Sequence, residues 1–234
     1  MSDHEPARRT PLGEDTALSY AAIRRVIGLA GIALPFVLGA AAVHDGTLKD
    51  SMSSYYYSGL RDYFTGTMCV IGVFLFCYEF RAPHVEAWLA KLAGLAALGV
   101  AFFHTAPIGP VSSGVRVRSD IHFGCAAVLF AILGDIAFQF FPSAQSAAEL
   151  RAHERRFYRA CGLVIWGGIA GYAVASNAFP GFCHHHPVLF WVETACVLAF
   201  SLSFLVKGQF ADGMRTLMRP NRSDQESECL PRGG

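Results

Sequence analysis

Six apolar stretches, each bracketed by charged residues, run through the chain at positions 26–43, 63–78, 92–110, 121–141, 160–179 and 188–206. Each holds 16 to 21 residues, and about 20 helical residues cross a hydrocarbon core of roughly 30 Å. Lipid offers no hydrogen bonds to bare backbone, so unbroken runs of this length are expected there as helices. The expected fold is all-α: a bundle of six transmembrane helices.

Composition agrees. Hydrophobic residues make up 53% and charged residues 16% of the chain, with a mean hydropathy of +0.36, whereas a soluble chain carries about 25% charge. A soluble bundle of six such helices would need an outer polar layer that this sequence does not supply. The net charge of +1 comes without the basic stripe that phosphate-backbone binding requires, so no nucleic-acid partner is expected. The expected partners are the bilayer and its headgroups, with a homo-oligomer left open. Residues 1–19 are polar and the first apolar run contains Pro35, so no cleaved signal peptide is expected.

Orientation follows from where the basic residues fall. Arg8, Arg9, Arg24 and Arg25 precede the first run, Arg81 and Lys91 flank the second connection, and Arg151, Arg155, Arg156 and Arg159 fill the fourth. Lys207, Arg215, Arg219 and Arg222 follow the last run. The other connections hold only Lys49, Arg61, Arg116 and Arg118. Both the N- and C-termini are therefore expected in the cytoplasm, with the chain in a bacterial inner or plasma membrane. Residues 1–18 and 208–234 are polar and aperiodic and read as disordered cytoplasmic tails around a membrane domain at 19–207. Short connections imply antiparallel neighbours. Ala90, Gly94, Gly162, Gly167, Gly168 and Gly171 read as close-packing positions between helices.

On this topology the ionisable groups gather at the outer helix ends, and intramembrane ionisable groups generally face the bundle interior and carry function. Glu193 lies six residues past Pro187, about 9 Å along the helix, and is the leading candidate, either as a functional carboxylate or paired with Arg61 or a histidine. Asp135 falls toward the other side and is expected to pair with an arginine such as Arg159. Asp62 suits the first turn of a helix whatever else it does. The segment 53–62 interleaves serines with Tyr55, Tyr56 and Tyr57 before Arg61 and Asp62. It reads as an aromatic interface belt or as a headgroup site in which Tyr56, Arg61 and Asp62 bind and the Arg fork meets phosphate.

Histidines supply the alternative chemistry. His104, His122 and the triplet at 184–186, represented by His185, converge on the same side, and three or four such ligands hold zinc. Zinc is thus the candidate cofactor, although the spacing matches no strong zinc signature. Haem is disfavoured because every histidine lies near a helix end. The cysteines at 69, 77, 125, 161, 183, 196 and 229 lie mostly within apolar runs and imply no disulfide framework. Cys69, Cys125 and Cys183 offer a second, weaker donor set.

Two resemblances follow from these features. The six-span layout, with its Ser/Tyr-rich first outer loop, resembles the DRAM-like family of six-span proteins. Together with Tyr55–Tyr57 and the Arg-Asp-x-Phe-x-Gly stretch at 61–66, it is also similar to uncharacterised bacterial relatives of that layout. That likeness covers about residues 20–207 and implies a lipid-linked role. Ser119, Asp120, His122 and the 184–186 triplet are similar in kind to the residues of ceramidase-type intramembrane hydrolases. Those enzymes have seven spans and a His-x-x-x-His pair in the last helix, and both are missing here. Three functions follow. The first is lipid-headgroup or membrane-partner binding. The second is metal-dependent hydrolysis of a lipid or amide, with Ser119 and either Glu193 or Asp120 as catalytic groups. The third is a channel or transporter path.

Overall fold

The computed structural model describes residues 12–46, 48–78, 84–107, 109–143 and 152–218. Every regular element among them is helical: α1 (Leu12–Asp45), a 3-10 turn (Ser53–Tyr57), α2 (Arg61–Phe76), α3 (His84–Phe102), α4 (Ser113–Asp135), α5 (Ala152–Ala178), α6 (Pro180–His185) and α7 (Val188–Met218). After Asp135, α4 runs on through a π-helical turn (Ile136–Phe140) and a last short piece (Phe141–Ser143).

Among the described residues, five helices are long and apolar enough to cross a membrane, over Ala22–His44, Val85–Phe102, Ser113–Phe140, His153–Ala178 and Val188–Lys207. The remaining expected span becomes α2, whose 16 residues give about 24 Å of helix, less than a hydrocarbon core of roughly 30 Å.

Several boundaries differ from the apolar runs, for identifiable reasons. The run at 92–110 was expected to be one helix, but α3 stops at Phe102 ahead of Pro107 and Pro110, which cannot continue it. It starts instead at His84, directly after Pro83, a residue suited to a helix beginning. Ser113 to Asp120 form the first turns of α4 rather than a connection. Residues 12–18 and 208–218, expected within the polar tails, are helical. Extending an existing helix avoids the cost of a new nucleus, and Pro11 and Pro220 bracket these extensions. The rest of both tails lies outside the described residues.

The six long helices form a ring in which α1, α2, α3, α4 and α5 each pack on their chain neighbour, and α7 closes the circle between α5 and α1. Neighbours are antiparallel, as the contacts across small residues show. A Cβ at Gly94 of α3 would lie 2.6 Å from Gly72 O and Phe76 N of α2. One at Gly162 of α5 would meet Phe138 Cβ at 2.6 Å, and one at Gly28 of α1 would meet the Leu205 side chain at 2.6 Å. Backbones approach this closely only where side chains are missing.

Burial is arranged for lipid rather than water. The interior holds Leu34, Leu38, Ile71, Leu75, Ile136, Phe200 and Phe204, all buried. The outer surface keeps Trp88 70%, Phe36 64% and Trp191 60% exposed.

The two ends of the ring differ. One is closed by the connection between α1 and α2, whose 3-10 turn packs against α2. At the other, Arg24 Nε donates to the Tyr78 hydroxyl at 2.6 Å and Lys207 Nζ donates to Phe141 O at 2.7 Å. The last carbonyls of a helix have no intrahelical donor, so Lys207 caps the end of α4 with favourable charge.

Candidate functional site

The cap is a polar turn tied down on three sides. Ser51 Oγ shares hydrogen bonds with Ser53 Oγ (3.0 Å) and Ser54 Oγ (2.7 Å), and accepts from Ser54 N at 3.1 Å. These serines follow the side-chain-to-backbone habit that makes them turn formers. Two bonds reach α7: Phe190 N donates to Asp50 O at 2.9 Å, and Met52 N donates to Glu193 Oε2 at 2.6 Å. On the α3 side, the Tyr57 hydroxyl donates to Thr105 O at 2.6 Å. The cap places Met52, Ser53 and Tyr55 in the buried interior.

Beneath the cap lies a cavity of about 50 Å³. Its lining includes Met52 and Ser53 of the cap, His122 of α4, Glu193 of α7, and the rings of Phe64, Phe130 and Phe200. Glu193 and His122 share this cavity, whose walls apart from Ser53 are otherwise apolar, while Asp62 and His104, expected at the same end, do not line it. The expected pairing of Glu193 with Arg61 is not found. The carboxylate takes the Met52 amide instead, because the cap folds inward over α7 while Arg61 points outward. His122 is buried, and its Nδ1 lies 2.6 Å from Phe103 O. That carbonyl is at the end of α3, so the imidazole caps α3 as a donor from Nδ1, which leaves Nε2 of a neutral ring as an acceptor.

A second group forms on the outer side of the cap. The His104 ring stacks on Tyr56 at 4.7 Å with planes 6° apart. The Arg61 guanidinium lies 4.3 Å over the Tyr56 ring and donates to its hydroxyl at 2.6 Å. Tyr57 stands edge-on to both Tyr56 and His104. The proton affinity of His104 is held below the ordinary imidazole range by burial first, then by the nearby charges of Arg118 and Arg61. Among the described residues no carboxylate pairs with Arg61 or Arg118.

The other candidates scatter. Asp62 is exposed in the first turn of α2, where its charge suits the helix dipole. Ser119 is buried on the same side of α4 as His122, as an i, i+3 spacing requires, whereas Asp120 is exposed on another side. His185 is exposed at the end of α6. Asp135 accepts from Gln139 Nε2 rather than pairing with Arg159, which lies over the Phe138 ring at 5.9 Å.

Among the described residues, no three of His, Cys, Asp and Glu gather closely enough to hold a metal ion. The zinc set of His104, His122 and His185 therefore does not form, because two of its rings are committed to a tyrosine face and a helix end. Neither Ser119 nor Asp120 lines the cavity with Glu193.

Sequence reasoning missed the Met52 amide, the Thr105 carbonyl and the charged group at the far end, Glu86 with Lys207. Backbone donors and acceptors leave no residue-type signal. Glu86 was hidden by the wrong start assigned to α3, and Pro83 was the available cue. Comparison with known proteins gives no family model, no curated protein and no solved structure that matches the chain.

Proposed function

We propose that the chain is a six-span membrane protein that binds the phosphate of a lipid headgroup at its capped end. The observation that carries this reading is the Arg61 guanidinium over the Tyr56 ring, itself stacked on His104, with the charge of Arg118 felt at the same imidazole and no carboxylate partner for either guanidinium among the described residues. A guanidinium fork donates two parallel hydrogen bonds to phosphate oxygens, and tyrosines with their polar tips outward suit the headgroup level. In this reading α2 is the sixth span. Its short helix is accommodated by local thinning of the bilayer and by the cap that continues it, at fractions of a kcal/mol per Å of mismatch. Both termini then lie on the cytoplasmic side, so an impermeant maleimide added to intact cells marks Cys183 and spares Cys229.

The test is retention of lipid by the purified full chain in native mass spectrometry, after exchange into nanodiscs of phosphatidylcholine with phosphatidylglycerol. Wild type retains phosphatidylglycerol preferentially, and the Arg61→Ala/Arg118→Ala variant loses about tenfold of that preference. Equal retention by both proteins would remove the headgroup reading.

A further inference from the structure

The bundle buries an ammonium of its own, and the way it does so shows what the other end lacks. Lys207 is 5% exposed, with Nζ bonded to Phe141 O and standing 5.6 Å and 5.9 Å from the ring centroids of Phe141 and Tyr158. The Glu86 carboxyl, also 5% exposed, is its nearby countercharge. Aromatic faces, a carbonyl and a carboxylate together replace the water an ammonium gives up.

At the capped end the carboxylate and the aromatic rings are present without the cation. Glu193 lines the cavity with Phe64, Phe130 and Phe200, and no lysine or arginine lines it. Among the described residues its hydrogen bond comes from the Met52 amide alone. A carboxylate on an apolar wall with one donor is costly unless a countercharge joins it or it takes up a proton. The cavity of about 50 Å³ has room for roughly three to five waters, which fits an ion of two or three heavy atoms.

We propose that this cavity binds a small alkylammonium ion of methylammonium to ethylammonium size, with the ammonium on Glu193 and the alkyl group against the phenylalanines. A carboxylate in the wall disfavours an anion. The lack of a third ligating group among the described residues disfavours a metal ion, and the volume rejects bulky quaternary amines. This inference stands apart from the headgroup reading, which uses the outer side of the cap.

Equilibrium dialysis of radiolabelled methylammonium against the detergent-solubilised full chain tests it. Wild type should show saturable binding of one ion per chain, displaced by ethylammonium but not by tetraethylammonium or by sodium at matched ionic strength. Glu193→Gln should weaken binding at least tenfold, Phe200→Leu a few-fold, and Arg61→Ala not at all. An absence of saturable binding in wild type, equal binding by Glu193→Gln, or displacement by tetraethylammonium would overturn the site. If Glu193→Gln fails to fold, Phe200→Leu and Phe130→Leu keep the Met52 contact and decide the matter, and unchanged affinity in both would overturn it.

Discussion

The amide of Met52 donates to Glu193 Oε2 at 2.6 Å across 141 positions of sequence, so one carboxylate both holds the cap in place and faces the cavity beneath it. With the Phe190 to Asp50 bond at 2.9 Å, it fastens the connection between α1 and α2 to the start of α7. A site on either side of the cap depends on this latch, because Tyr56 and Ser53 belong to the same short turn.

Two substitutions separate the latch from the charge. Glu193→Gln keeps an oxygen to accept from Met52, so thermal unfolding in detergent should stay close to wild type. Glu193→Leu leaves a buried amide without an acceptor, which costs about 1–3 kcal/mol, and its melting midpoint should fall clearly. A leucine variant that melts with wild type would show that the cap is held by other contacts.

The two buried opposite charges at the far end, Glu86 and Lys207, are expected to act as a pair. Removing one member of a buried ion pair strands the other at about 3–5 kcal/mol, while replacing both by apolar groups is often neutral. Lys207→Met should therefore express poorly and melt early, as should Glu86→Gln to a lesser degree, since the amide keeps hydrogen-bonding capacity. The double variant Glu86→Leu/Lys207→Met should recover much of the loss, less the bond that Lys207 makes to Phe141 O. Additive damage in the double variant would show that the two groups do not depend on each other.

The six apolar runs made the helices and their antiparallel order legible, because a run's length and its flanking charge are properties of consecutive residues. The polar cluster was legible only as a region. Glu193 and His122 could be placed near one another by counting turns from the helix starts. What each would touch could not, because their partners are the backbone of Met52 and of Phe103. Arg61 and Tyr56, expected in one headgroup site, are in contact with each other, whereas His104, expected as a metal ligand, is the flat partner of a tyrosine. The convergence of histidines depended on the connections between α3 and α4 and between α5 and α7, whose paths no apolar period sets.

The glycines now divide by what surrounds them. A Cβ at Gly94 or Gly162 would meet backbone at under 3.0 Å, so alanine there must separate two helices and should lower the midpoint in a denaturant titration by a margin typical of core overpacking, about 1–3 kcal/mol. Gly167 and Gly171, expected from sequence to be packing positions, have nothing within 4 Å, and alanine at either should be neutral or slightly stabilising through helix propensity. Gly168 is intermediate, with Cys196 Sγ at 2.9 Å, a side-chain neighbour that can shift. Loss of stability in Gly167→Ala equal to that in Gly94→Ala would contradict the helix packing.

His104 gives the cluster a pH signature. Its proton affinity is lowered from the ordinary 6.5 by burial, then by Arg118 and Arg61. A group that binds its proton less well when folded leaves the folded state with fewer protons than the unfolded chain. The stability it allows is therefore complete above about pH 6.5 and declines as the pH falls below that value toward the folded midpoint. His104→Phe keeps a ring on Tyr56 and removes the titration, so its melting midpoint should fall less steeply on the acid side. In an NMR titration of the imidazole, Arg118→Gln should raise the His104 midpoint toward 6.5 by removing a repelling charge. A phosphate-bearing lipid bound between the arginines should raise it as well, since an anion favours the imidazolium. A wild-type midpoint at or above the ordinary value without lipid would mean that the arginines do not face this ring, and the phosphate site would lose its geometry with them.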